Sequence, residues 1–232
     1  MIAIITYDHP HRKTQDLIFR LIAKGHRALY LIVLPWEKRK EHVPIYEHRP
    51  LKAMQISTEI FCENFDLNFQ KVTINSIDYV LNGFPFKHIL IAGAGILPGT
   101  LVKNHKIINS HPGYLPNVRG LDAFKWAIYN GQPIGVTTHY IDEKTDEGQL
   151  IERGIIPVYY EDTFHSVAQR IYETEIEMLV NSINIIDEKR ATFESLKDNQ
   201  YKANKRMEAW KEQKMMYVFN KIREGSDSKF NN

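Results

Sequence analysis

A chain of 232 residues that is 43% hydrophobic and 25% charged has a globular composition, with room for one large domain or one domain plus a small appendage. Its formal charge of +2 is too mild to recruit nucleic acid through a global field, so an anionic ligand has to be met by a local cluster. The single cysteine, Cys62, excludes an internal disulfide and a cysteine-based metal cluster, no apolar run reaches the ~20 residues of a membrane span, and the β-like "IAIIT" start lacks signal-peptide architecture; the expectation is a cytoplasmic protein with neither nucleic acid nor membrane as partner.

Ile2 to Ile5 reads as a buried strand. Thr14 then opens a helical pattern, with Leu17, Ile18, Leu21 and Ile22 on one face and Gly25 as the stop. "ALYLIVL" at 28–34 is a second buried strand, followed by a basic, proline-punctuated loop from Pro35 to Pro50. Next come "KVTI" with a short polar helix, the apolar "HILIAG" at 88–93, "KIIN" at 106–109, a helix around Ala123 to Tyr129, and the strand "IGVTTHYI" at 134–141. Strands alternating with helices predict an α/β fold, a mostly parallel twisted sheet with helices on both faces. "GQLIERGIIPVYY" is one more extended segment, after which Asp162 or Thr163 caps a long amphipathic helix reaching Ile186.

After about Ala191 the composition turns to Lys, Gln and Asn. Met215, Val218, Phe219 and Ile222 recur at helical spacing, which predicts a helical appendage over 191–232 behind a main domain of 1–190. Such an apolar stripe needs a surface to cover. A second copy of the chain, giving a homodimer, is the expected one, and the chain's own core is the alternative. The final "GSDSKFNN" has no pattern and is expected to fray.

The most informative stretch is "IINSHPGYLPNVRG" at 107–120, where an apolar strand ends in Asn-Ser-His and runs straight into prolines. Chain that leaves a sheet this way puts Asn109 and His111 at the mouth of a cleft, the place where open α/β sheets bind ligands. An amide such as Asn109 can donate to an oxyanion without titrating. The imidazole of His111 can both give and take a proton near neutral pH, and a carboxylate such as Asp146 would fix the tautomer of a neighbouring imidazole and favour its charged form. Taken singly, Asn109 can be a turn former and His111 a satisfied polar residue. Arg119 could pair with Asp146, meet an anionic ligand, or be solvated.

Four ordered motifs within 107–151, together with "AGAGILP" at 92–98, resemble the folate-dependent formyltransferases. They are Asn-x-His-Pro-Gly after a strand, Leu-Pro-x-x-Arg-Gly, a Gly-Val-Thr strand, and Asp-x-Gly-x-Leu-Ile after a short loop. The resemblance implies a Rossmann-like core, 10-formyltetrahydrofolate as co-substrate, no metal, and Asn109, His111 and Asp146 as catalytic trio. Moving a formyl group between nitrogens needs a neutral amine, a stabilised oxyanion and a carried proton, and those residue types suit these tasks. The resemblance also places the pterin between "GAGILP" and "IDEKTD", touching Gly93, Gly95, Ile96, Leu97, Ile141 and Asp142, with the glycines letting a flat ring approach the backbone. A dinucleotide fingerprint in "ILIAGAGILPG" fails on Pro98 and on the lack of a following strand with an acid about 20 residues on. The histidines at 105, 111, 139 and 165 have no ligand-like spacing.

Within that family, "TYDHPHRKT" stands where glycinamide ribonucleotide enzymes carry a Gly-Ser-rich phosphate loop, and neither a basic barrel after the core nor a regulatory domain before it is expected. The branch most resembled is the sugar N-formyltransferases, which act on an amino sugar attached to a nucleoside diphosphate; "PIGVTTH" and "NQYKANKR" are similar to segments of that branch. A 4-amino-4,6-dideoxyhexose type of acceptor is expected, with glycinamide ribonucleotide as the alternative. Tyr7, His9, Arg12 and Lys13 at the end of the first strand, with His11 among them and Arg119 from the later loop, would then meet the acceptor.

Overall fold

The structure is a computed structural model that describes residues 1–36, 43–50, 54–144, 146–198 and 200–226. In chain order its elements are β1 (Ile2–Tyr7), α1 (Arg12–Ala23), β2 (Leu29–Leu34), α2 (Thr58–Asn64), β3 (Asn68–Lys71), α3 (Ile77–Gly83) and β4 (His88–Ile91). The second half adds α4 (Gly99–Asn104), β5 (Ile107–His111), α5 (Ala123–Tyr129), β6 (Gly135–Ile141), β7 (Gly148–Ile155), α6 (Phe164–Asp187) and α7 (Ala209–Glu224).

The seven strands form one sheet in the order β3-β2-β1-β4-β5-β6-β7. The first five run parallel, and β6 and β7 close the sheet antiparallel. Strands covered on both faces can be apolar throughout, and β1 is: Ile2 and Ile4 pack with Leu17 and Leu21 of α1 and Leu179 of α6, while Ala3 and Ile5 pack with Leu81 of α3 and Leu101 of α4. Strand order reverses between β1 and β4, and ligand clefts in such sheets open beyond the strand ends at that reversal.

Several expectations shift. The strand placed at "KVTI" lies earlier, at β3, and 74–76 form a 3-10 turn. β3 is an edge strand with mostly exposed side chains, so burial left no alternation to read. The helix α2 carries no long period, being seven residues started by the Ser57 hydroxyl accepting from Ile60 N. The helix after β3 is not polar, since Ile77, Val80 and Leu81 are buried. α1 begins at Arg12, two residues before Thr14. Thr163, not Asp162, caps α6 through a box with Ser166. The fraying expected for the end concerns mainly 227–232, outside the described residues.

The C-terminal stripe faces inward. Met215 and Phe219 are buried with Phe124 and Ile128 of α5 and Phe164 of α6, and Val218 and Ile222 pack at the margin. Lys125 of α5 meets Glu212 of α7 at 2.9 Å, both side chains 0% exposed. The face expected to dimerise is therefore occupied by the chain's own core. Among the described residues no helix is long and apolar enough to cross a membrane.

Candidate active site

β5 does not stop at Asn109. It continues to His111 because β6 pairs with it, Asn109 opposite His139 and His111 opposite Thr137. The His111 ring is 6% exposed. Its Nε2 is 2.9 Å from the Val118 carbonyl, which can only accept, so Nε2 carries a proton. Its Nδ1 lies 3.4 Å from Asp146 Oδ1. The other Asp146 oxygen accepts from Gly120 N at 2.6 Å.

The turn after β5 wraps this ring closely. A Cβ on Gly113 would lie 2.6 Å from the Val118 carbonyl and 2.7 Å from His111 Nε2. Thr137 Oγ1 donates to the Gly113 carbonyl at 2.9 Å and accepts from Leu115 N at 3.0 Å, fixing the turn to β6. Behind the site His139 is fully buried, and burial pushes its pKa down to about 4. Its neutral ring donates through Nδ1 to the Glu147 carbonyl at 3.1 Å. Asn109 is half-buried in the middle of β5, two residues before His111 and opposite His139 of β6.

One of the two segments expected to hold the donor reaches α4, which begins just past the other. Glu143 after β6 pairs with Lys103 of α4 at 2.7 Å, and a Cβ on Gly99 would touch Glu143 Oε1. Gly95, Ile96 and Asp142 are exposed along this seam, Ile96 at 83%. Leu97 is different. Its side chain is buried in the core beside Ile141, so only its backbone remains for a ligand. Gly93 also needs a different explanation: a Cβ there would sit 2.9 Å from both the His11 and Tyr7 rings, so the close approach it permits is to the protein's own side chains. Thr145 in "IDEKTD" lies outside the described residues.

At the end of β1 the structure gathers rings rather than cations. His9 stacks on Trp36 with centroids 4.7 Å apart at 8°. Tyr7 meets Trp36 edge-on at 4.9 Å and His11 at 6.1 Å. The three cations expected to meet an acceptor are engaged elsewhere. Arg12 Nε pairs with Asp16 at 2.7 Å. Lys13 Nζ reaches inward to Glu175 of α6 at 2.6 Å and to the Ser110 carbonyl at 3.3 Å. Arg119 is 4% exposed and pairs with Glu147. Lys13 and Arg119 have carboxylates brought by the fold, which no local pattern announces, whereas Arg12 and Asp16 are an i,i+4 pair within α1.

Sequence reasoning missed Trp36 and Arg49, both in the aperiodic loop after β2. Burial, then the charges of Lys13 and Arg49, push the His11 pKa down to about 4. An aromatic two residues past the end of β2 was the available signal for Trp36; nothing marked Arg49. A groove of about 410 Å³ between α1 and α6, lined by residues that include Arg12, Asp16 and Tyr172, contains no member of the trio. Among the described residues no group of three side chains could hold a metal ion.

Comparison with known proteins adds to this geometry. The sequence profile of a family described as formyl transferase matches residues 51–183, more than half of the chain. The trifunctional purine biosynthetic protein adenosine-3 of Gallus gallus is 35% identical over 105 residues, 44% of this chain and 10% of that protein. Phosphoribosylglycinamide formyltransferase of Bacillus subtilis is 39% identical over 92 residues, 37% of this chain and 47% of that one. The chain thus spans less than half the length of these relatives. Among solved structures, a sugar N-formyltransferase from Shewanella matches with TM-score 0.61 at 18% identity, over 100% of this chain and 91% of its own. WlaRD, a sugar 3N-formyl transferase solved in the presence of dTDP and 5-N-formyl-THF, matches with TM-score 0.62 at 16% identity, over 89% and 70%. At such identities the structures show a shared fold.

Proposed function

Because the chain belongs to the formyl transferase family, we propose that it moves a formyl group from 10-formyltetrahydrofolate to the amine of a nucleoside-diphosphate-linked amino sugar of the 4-amino-4,6-dideoxyhexose type. The observation that carries this is the His111 ring, held between the Val118 carbonyl and Asp146 at the end of the strand that carries Asn109. The donor supplies an activated formyl carbon. Asn109 donates a hydrogen bond to the oxygen that becomes negative when the amine attacks, a contact typically worth ~3 kcal/mol of barrier. His111 takes the proton from the attacking nitrogen and returns it to the leaving one. Asp146 orients the ring and offsets its charge while the proton is held.

Gly95, Ile96, Ile141 and Asp142, with the backbone of Leu97, are the proposed donor contacts. The aromatic shelf of Tyr7, His9 and Trp36 at the β1–β4 reversal supports a nucleotide-bearing acceptor, because flat rings offer a stacking surface to a base. The structural likeness to a sugar 3N-formyl transferase solved with dTDP agrees with this.

The test is turnover of 10-formyltetrahydrofolate with thymidine-, uridine- and guanosine-diphosphate amino sugars and with glycinamide ribonucleotide. Formylation of an amino-sugar nucleotide is expected. Formylation of glycinamide ribonucleotide alone would replace the acceptor, and no transfer to any amine would end the reading.

A further inference from the structure

The chain between α6 and α7 runs alongside both pieces of backbone that hold Asp146. Near its start, Leu150 N donates to the Glu194 carbonyl at 2.8 Å and Leu196 N to the Gly148 carbonyl at 2.9 Å, so this part lines the beginning of β7, two residues past Asp146. Further on, Asn204 N donates to the Arg119 carbonyl and Leu121 N to the Asn204 carbonyl, both at 2.9 Å. Between those two contacts lies Gly120, whose N–H holds the Asp146 carboxylate.

Arg119 fastens the arrangement from inside. One end of its guanidinium pairs with Glu147, the residue after Asp146. Its Nη1 donates to the carbonyls of Asp198 at 3.2 Å and Tyr201 at 3.1 Å. The grip matters because Asp146 and Gly120 both sit at positive φ, +53° and +85°. Asp146 in particular is held in a sparsely populated backbone region, which persists only where the surroundings enforce it.

We propose that residues 194–198 and 200–207 form a strap that sets the position of Asp146 against His111, with Arg119 as the positioning residue that fastens it. This rests on the reading of Asp146 as the carboxylate of the catalytic trio. An arginine that looked available for an anionic ligand instead acts on the reaction through the geometry of a neighbouring carboxylate. Misplacing a reacting group by about 1 Å can cost ~100-fold in rate.

Two variants loosen the strap without touching the trio. Gly120→Ala would place a Cβ against the Asn204 backbone, and Arg119→Met removes the guanidinium grip. Each is made alone and together with Asp146→Asn, and kcat and KM for 10-formyltetrahydrofolate are measured beside calorimetric binding of 5-formyltetrahydrofolate. The expected result is a fall in kcat of at least about 10-fold in each single variant, with KM and binding changed less than about threefold. Either variant added to Asp146→Asn should then cost almost nothing beyond Asp146→Asn alone, because groups acting through one contact are not additive. Multiplying losses in the double variants, or an unchanged kcat in folded Arg119→Met, would overturn the proposal. Amide exchange needs no substrate: Gly120 N–H should exchange at least about 10-fold faster in Arg119→Met, and unchanged exchange refutes the strap whatever the acceptor proves to be. A wild-type protein that transfers no formyl group sinks the functional reading alone.

Discussion

His111 is packed on the side away from Asp146 by a residue with no side chain, and that makes Gly113 a sensitive position. Gly113→Ala would insert a methyl group 2.7 Å from Nε2, forcing either the ring or the Val118 carbonyl to move. A loss of turnover of about 100-fold is expected, with folate binding preserved; an unchanged kcat would mean that the ring's seat is not what makes it effective. His111→Asn should lower kcat by ~100-fold or more, since general acid-base groups contribute ~100 to 10,000-fold. Asn109→Ala, which removes one donor to the oxyanion, should cost ~100 to 1,000-fold. Steady-state kinetics with a saturating acceptor distinguishes these losses of kcat from losses of binding. If His111→Asn raised KM and left kcat alone, the ring would bind substrate and not carry its proton.

The elements around the site owe their placement to α7 as much as to the sheet. Glu212 Oε1 meets Lys125, and its Oε2 accepts from Ile45 N at 2.8 Å and Tyr46 N at 2.9 Å. A single carboxylate thus joins α5, α7 and the loop that leads to Arg49. Removing one member of a buried ion pair typically costs about 3–5 kcal/mol, so Lys125→Ala should lower the denaturant midpoint markedly, and a midpoint like the wild type's would show the pair to be dispensable. Deleting the chain after Glu194 should do more than alter assembly. It uncovers the core around Phe124 and Ile128 and removes the strap, so loss of cooperative unfolding in a melt is expected; a truncated protein with a sharp transition would contradict the packing of Met207, Met215 and Phe219.

At the scale of the whole molecule, buried neutral histidines set the acid limit of stability. Burial lowers the pKa of His11 and of His139 to about 4, and that of His48 further. Below about pH 6.5 an unfolded chain takes up these protons while the native state refuses them until about pH 4, so stability falls as pH falls through that window. Each such group contributes up to ~1.4 kcal/mol per pH unit. Asp162, whose pKa Arg170 and neighbouring donors hold at about 2 against the cost of its burial, withdraws its stabilisation only below the ordinary carboxylate range. Urea midpoints at pH 7.5 and pH 5.0 give the check: the lower pH should be clearly less stable, and equal midpoints would mean these rings are protonated in the folded state.

What could be read in advance follows the range of the interactions involved. The helix at Ala123–Tyr129 and the strands β1, β2 and β6 repeat apolar residues at a local period, and the Asn109–His111–Asp146 set is carried by motifs whose spacing survives in one chain segment. The engagement of Lys13 by Glu175 spans 162 positions, and that of Lys125 by Glu212 spans 87. Whether a cation faces a ligand or a distant carboxylate is decided by topology, which local pattern does not encode. The same limit explains why the C-terminal stripe could be assigned a helix but not the surface it covers.

The buried Lys125–Glu212 contact also imposes an order on synthesis. With 87 positions separating the pair and a ribosome adding roughly 5–20 residues per second, the ammonium of Lys125 exists for several seconds before its carboxylate has been made. During that interval α5 cannot settle into its final core without burying an unpaired charge, and the loop at Ile45 and Tyr46 lacks the acceptor for its two N–H groups. One face of β1 and β2 waits for Leu179 and Ile183 of α6, and the core around α5 waits longer, for α7. Closure of the core around α5 is thereby tied to synthesis of the chain through α7.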